Sequence, residues 1–134
     1  MRCQAALEYL LLCVIALALL IPIFIVVSDS ERSAKSEIEL GYAKSLADKL
    51  KENANFIYSQ GEPASVILNV YVPQSVENIR FIGKTIIIDA VFESGFVNIT
   101  RECDSNLTGN FPAVSGRRSI IVKAQGGVVN ITSL

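Results

Sequence analysis

The sequence has neither histidine nor tryptophan among its 134 residues, and it has only three cysteines. Histidine is the commonest general base and metal ligand, so its absence leaves serine and cysteine without their usual partner in nucleophilic catalysis. No glycine-rich phosphate-binding loop follows an apolar strand. We therefore expect no enzyme activity, no catalytic residue, no metal site and no cofactor.

Charge is also sparse and evenly balanced. The chain has 12 Lys or Arg and 13 Asp or Glu residues, and no run of basic residues. A nucleic-acid groove needs a basic stripe or patch, so we expect no nucleic-acid partner. Cys13 lies in an apolar segment and Cys103 near the other end of the chain, which argues against a disulfide between them. Cys103 is predicted to be a small buried residue.

A long hydrophobic segment, Ala5–Val27, contains one charged residue, Glu8, and one proline, Pro22. As a helix rising about 1.5 Å per residue it would span roughly 35 Å, enough to cross a bilayer. Hydropathy alone predicts a single-pass membrane anchor. No small-residue cleavage site follows the segment, unlike in a secretory signal peptide. Arg2 favours a cytoplasmic N-terminus, with everything after Val27 outside.

Glu8 is the unusual residue of this segment. An ionisable side chain within a membrane-length helix costs free energy and is a functional candidate by default, provided that it finds a partner. The alternative is a glutamate whose carboxylate reaches the cytoplasmic interface.

The string Gln4-Ala5-Ala6-Leu7-Glu8-Tyr9-Leu10-Leu11-Leu12 resembles the class III signal peptide of archaeal type IV pilin-like proteins. Gln4, Glu8 and Leu12 match that pattern at steps of four, and Ala6 occupies the small-residue position. The resemblance implies that a prepilin-type peptidase removes residues 1–3 by cutting between Cys3 and Gln4. The apolar segment would then stay in the mature protein. Cys3 departs from the Gly or Ala more often found before the cut.

The resemblance also implies a role for these residues in assembly. The Glu8 carboxylate would pair with the new α-ammonium of Gln4 on a neighbouring subunit and so set the register between helices, because a buried charge is tolerated only when paired. The expected partners are further copies of the chain, the peptidase, the assembly platform and, before assembly, the membrane. The expected function is that of a cell-surface filament subunit, used for adhesion. A membrane-anchored ectodomain that binds a ligand, and a minor or priming pilin, remain the alternatives.

The rest of the chain predicts an α+β fold. The N-terminal helix covers 4–60, of which 4–27 is the membrane or filament-core part, and Gln60-Gly61-Glu62-Pro63 ends it. Pro22 and the capping-box-like residues 28–31 predict a break or bend between residues 18 and 31. An apolar stripe should pack against the head rather than bind a partner, although a pilin helix could do both; the stripe comprises Ile38, Tyr42, Leu46, Leu50, Ala54 and Ile57.

Residues 61–134 predict an antiparallel β-sheet head, either a sandwich or a strongly curled sheet. Period-two patterns indicate six strands, near 65–72, 77–82, 85–93, 95–101, 117–125 and 127–132. Gly83-Lys84, Ser94-Gly95 and Gly126-Gly127 are typical two-residue hairpin turns. Residues 102–116 are predicted to form a long loop. Its string Asn106-Leu107-Thr108-Gly109-Asn110-Phe111-Pro112 loosely resembles the head of the same archaeal proteins.

Three N-x-T sequons begin at Asn98, Asn106 and Asn130, all in the predicted head. Three of the four threonines of the chain belong to them. In a strand, the Asn and Thr of a sequon share one face. The pattern predicts solvent-facing N-glycosylation sites on an exported protein. The alternative is threonine chosen for its β-propensity, with the sequons arising by chance.

Overall fold

The computed structural model describes the backbone of residues 2–134 and the side chains from Gln4 onward. A single helix, α1 (Arg2–Gln60), precedes seven strands, which confirms the α+β class. The strands are β1 (Ser65–Val72), β2 (Val76–Ile82), β3 (Thr85–Phe92), β4 (Gly95–Glu102), β5 (Asn106–Asn110), β6 (Gly116–Gln125) and β7 (Val128–Ser133).

The chain divides into two compact units, the first ending at Lys35 and the second comprising Ser36–Leu134. In the first, the side chains of Gln4–Val27 are all exposed. The helix has no break at Pro22, which lies inside α1. The break predicted between residues 18 and 31 is therefore absent. A proline removes one backbone hydrogen bond from a helix. The loss of this one bond does not interrupt α1, which continues on either side of Pro22.

The end of α1 lies where the sequence predicts it. Gly61 has a φ of +72°, and its N–H donates to the carbonyl oxygens of Ile57 and Tyr58, each at 3.2 Å. A glycine in the left-handed region satisfies the last helical carbonyls at little conformational cost.

Within the second unit, the buried face of α1 differs in part from the predicted stripe. Leu46, Leu50, Ala54 and Ile57 are buried as predicted. Ile38 is 58% exposed, so its assignment to the packed stripe is wrong. Tyr42 is 52% exposed and contacts the head through the Tyr71 ring of β1. Two small residues, Ala43 and Ala47, are fully buried instead. Small apolar side chains thus form part of the buried face, whereas the pattern of large residues indicates only where the helix is apolar.

The seven strands form two sheets, one ordered β1-β6-β7-β5 and the other β2-β3-β4. Their inner faces and the helix side from Ala43 to Ile57 share one hydrophobic core. The largest fully buried side chains are Phe111, Leu50, Ile86, Ile88, Ile120 and Ile131. Burying each such side chain stabilises the fold by about 1.5–3 kcal/mol.

The segment predicted as a loop, residues 102–116, contains a strand, and that part of the prediction is wrong. β5 pairs parallel with β7, so the four-stranded sheet is mixed rather than wholly antiparallel. Only Leu107 of its five residues is buried. One inward apolar residue gives too weak a period-two pattern to indicate a strand. The Leu107 N–H donates to the Gly83 carbonyl at 2.7 Å, which joins β5 to the β2–β3 turn.

Two of the three predicted hairpin turns are confirmed. Gly126 and Gly127 have φ values of +60° and +77°, and Gly83 has +57°, as tight hairpins between twisted strands require. The third turn is displaced by one residue, because Phe92 pairs with Gly95 and the two-residue loop is therefore Glu93-Ser94.

Candidate functional site

The N-terminal motif forms a line along α1. Gln4, Glu8 and Leu12 are four residues apart in one helix, so successive side chains lie on the same side, with about 5–6 Å between their Cβ atoms. All three are exposed. Among the described side chains, Glu8 forms no ion pair. The line is therefore open to lipid or to another helix.

The structure describes only part of the predicted leader, residues 1–3. Met1 and the side chains of Arg2 and Cys3 lie outside the described residues. The cut predicted between Cys3 and Gln4 accordingly stays a prediction.

The helix that carries the motif is long and apolar enough to cross a membrane. Its most apolar window has a mean hydropathy of 3.4, and none of that window is buried within the protein. Length and composition fit either a single-pass anchor or a signal sequence. An uncovered helix of this kind needs lipid or other protein around it.

Two of the three sequons share one surface, which we call the outer face of the four-stranded sheet. It is the side opposite the buried Leu107, Val129 and Ile131. Asn106 and Thr108 lie on β5 and Asn130 and Thr132 on β7, with Thr108 paired to Asn130 in the parallel register. Asn106 is exposed, whereas Asn130 is half-buried between two strands and its Oδ1 has no hydrogen-bond partner among the described residues.

The third sequon lies on the other sheet and has a different environment. Asn98 is exposed on the outward side of β4, and its Nδ2 donates to Asp89 Oδ1 at 3.1 Å. Asp89 is buried, and its second oxygen lies 2.7 Å from Arg80 Nη2. The side-chain amide of Asn98, which a glycan would modify, thus already donates a hydrogen bond to a carboxylate. The cluster of Arg80, Asp89 and Asn98 was not predicted from the sequence. Its only sign in the sequence is that these polar residues occupy alternate positions of neighbouring predicted strands.

Polar contacts that the sequence does not predict join α1 to β4 and to the residues that follow it. Arg101 Nε donates to Asp48 Oδ1 at 2.5 Å, and Asn55 Oδ1 accepts from the Asp104 N–H at 3.0 Å. On the other side of the helix, the Tyr42 and Tyr71 rings meet edge to face with centroids 5.5 Å apart. The members of these pairs are between 29 and 53 positions apart in the sequence, so no local pattern indicates them.

Cys103 is buried, as predicted. Burial raises the pKa of its thiol; nearby Lys51 opposes that rise and Asp104 adds to it. A protonated buried thiol is a poor nucleophile. Among the residues that the structure describes, no three His, Cys, Asp or Glu side chains are grouped so as to hold a metal ion.

Comparison with protein-family models, with curated proteins and with solved structures gave no match to this chain.

Proposed function

We propose that this chain is a structural subunit of a cell-surface filament of the archaeal type IV pilin kind. The observation that carries the proposal is the line of Gln4, Glu8 and Leu12 at the start of an exposed apolar helix. The same helix ends packed against a β-sheet head. Pilins have the same order of motif, apolar helix and β head. The choice of the archaeal type IV family rests on the resemblance of Gln4, Glu8 and Leu12 to its signal-peptide pattern.

The physical argument rests on what an uncovered apolar helix requires. Lipid covers the residues of α1 up to Val27 in the membrane, and the same helices of neighbouring copies would cover them in a filament. Glu8 would make the packing between neighbouring helices in the filament specific. A carboxylate in apolar surroundings is tolerated when a cation pairs with it, and cleavage before Gln4 creates an α-ammonium on every subunit. Only one axial offset between neighbouring helices brings the two charges together.

The subunit would enter the membrane as a precursor with its N-terminus in the cytoplasm, and leave it on assembly after the prepilin-type peptidase has removed residues 1–3. Its other partners are further copies of the chain and the assembly platform. Adhesion is the surface task that such a filament serves. A minor or priming subunit shares the same N-terminus and differs in its abundance within the fibre.

Glycans on the head fit this location, and the three sequons are not equivalent. Asn106 and Asn98 are both exposed on edge strands, but the Asn98 amide already donates a hydrogen bond to Asp89, so an oligosaccharyltransferase reaches Asn106 most easily. Asn130 lies in a central position of its sheet, half-buried beside Thr108. We expect occupancy to be highest at Asn106 and lowest at Asn130.

The deciding experiment is electron microscopy of filaments sheared from the native cells, with mass spectrometry of their subunit. The proposal expects this chain to be the repeating unit, with Gln4 as its first residue. A protein that keeps residues 1–3 and stays in the membrane fraction would support the alternative, a membrane-anchored ectodomain. Site-resolved glycopeptide analysis of the same sample tests the order of sequon occupancy.

A further inference from the structure

A cleft of about 380 Å³ lies where the helix meets one edge of the four-stranded sheet. Its lining comes from three elements, and comprises Lys49 of α1, Asn69, Val70 and Tyr71 of β1, and Arg117, Arg118 and Ser119 of β6. Its volume is within the range of small-molecule sites, roughly 300–1,000 Å³. All of these residues belong to the second compact unit.

The charge of the cleft has one sign. Lys49, Arg117 and Arg118 line it and no carboxylate does. The ion pairs found among the described side chains, Arg80–Asp89 and Arg101–Asp48, involve none of these three cations. In a chain with a net charge of −1, three cations thus border one cleft, and none of them has an ion-pair partner among the described side chains. Guanidinium groups bind carboxylates and sulfates through paired N–H donors.

Neutral groups in the cleft complement these charges. Ser119 Oγ donates to Asn69 Oδ1 at 2.7 Å, which occupies the amide oxygen and leaves the amide nitrogen of Asn69 as a donor. Tyr71 is exposed, and its ring packs edge to face with the ring of Tyr42. Hydroxyl-rich ligands use such amide donors, and the apolar face of a sugar ring stacks on an exposed tyrosine.

We propose that this cleft binds the carboxylate or sulfate groups of an acidic polysaccharide. The three cations recognise the acidic groups, while Tyr71 and Asn69 recognise the sugar ring and its hydroxyls. Nucleic acid fits the same surface less well, because a phosphate backbone requires a continuous basic track and the sequence contains no run of basic residues. The site lies on the head and its binding does not depend on filament assembly.

The test measures binding of defined oligosaccharides to the full chain in detergent. The probes are a heparin fragment, with sulfates and carboxylates, an oligogalacturonate, with carboxylates only, and neutral dextran. We expect at least one acidic probe to bind and dextran not to bind. The double variant R117Q/R118Q should raise the Kd at least about tenfold, since each arginine supplies charge-assisted hydrogen bonds. Tyr71→Ala should weaken the binding of the oligosaccharide and leave the binding of inorganic sulfate unchanged.

Lys123→Gln is the matched control, because it removes one positive charge from the same strand, β6, outside the cleft. It should leave the Kd unchanged. Lys49→Gln repeats the test from the helix, should R117Q/R118Q fail to fold as judged by circular dichroism. The proposal is overturned if neither acidic probe binds, if Lys123→Gln weakens binding as much as Lys49→Gln, or if duplex DNA binds as tightly as the sugars at the same ionic strength.

Discussion

Arg101 Nε lies 2.5 Å from Asp48 Oδ1, so that β4 and α1 are joined by an ion pair between residues 53 positions apart in the sequence. The two side chains are 32% and 50% exposed, so water and salt screen the pair. We expect Arg101→Ala to lower the free energy of unfolding by no more than about 1 kcal/mol, and less in high salt. Urea denaturation of the detergent-solubilised chain measures this. Adding Asp48→Asn in a double-mutant cycle isolates the pair, and a salt-independent loss would contradict the ionic account.

The Arg80–Asp89 pair is expected to behave differently, because the Asp89 side chain is only 10% exposed. Removing Arg80 leaves a buried carboxylate with Asn98 as its remaining side-chain partner. We expect Arg80→Leu to destabilise the head by about 1–3 kcal/mol. The double variant R80L/D89L should recover most of that loss, since apolar residues often replace a buried ion pair at little cost. Thermal unfolding of both variants decides the matter; equal destabilisation by both would show that the charge left behind is not the cause.

Gly109 and Gly95 offer a matched pair, because both have a φ of +128°. A Cβ at Gly109 would lie 1.9 Å from the Ile131 carbonyl oxygen, whereas a Cβ at Gly95 meets nothing within 4 Å. Gly95→Ala should cost only the conformational strain, about 1–3 kcal/mol. Gly109→Ala should cost clearly more and separate β5 from β7. Denaturation gives both free energies, and hydrogen exchange at the β7 amides reports on the strand pairing. Equal costs would mean that β5 tolerates displacement.

Local chemistry accounts for the parts of this fold that the sequence predicts well. Glycines at positive φ mark the end of α1 at Gly61 and the turns at Gly83 and Gly126, and such signals need only a few adjacent residues. β5 escaped prediction because its stability comes from pairing with β7 and from the Gly83 carbonyl, not from its own composition.

The candidate sites divide along the same line. The motif of Gln4, Glu8 and Leu12 is readable because helical spacing places its members together. The cleft of Lys49, Tyr71 and Arg117 was not foreseen, since its residues come from three distant segments that only the fold assembles. Ile38 shows the converse error, because periodicity identifies the apolar side of a helix without showing where along the helix burial begins.

Cys103 should make the stability of the head depend on pH in the alkaline range. Burial raises the pKa of its thiol above the value of about 8.5 expected in the unfolded chain. The folded state therefore holds this proton to higher pH than the unfolded state does. The contribution is fully present below about pH 8.5 and is lost as the pH rises through the folded pKa.

The measurement is the free energy of unfolding at several pH values from neutral to alkaline. The wild type should lose more stability over this range than Cys103→Ala, which lacks the titrating thiol. Parallel curves for the two proteins would show that the Cys103 thiol does not contribute to the alkaline dependence.

Glu8 carries the last prediction, which concerns assembly rather than stability. The Glu8 side chain is exposed on α1 and forms no ion pair among the described side chains, so Glu8→Ala should leave the folding of the head unchanged. It should nevertheless abolish or strongly reduce filaments on the cells, because the α-ammonium of the neighbouring Gln4 would lose its counter-charge. Glu8→Gln separates charge from shape: it keeps the length and a hydrogen-bonding group, and should assemble nearly as poorly as Glu8→Ala. Glu31→Ala is the matched control, since it removes an exposed carboxylate from the same helix outside the motif. Filament counts by electron microscopy, set against the membrane-bound pool of each variant, measure assembly. Normal filaments from Glu8→Ala would exclude the pairing role and favour a glutamate that rests at the membrane interface.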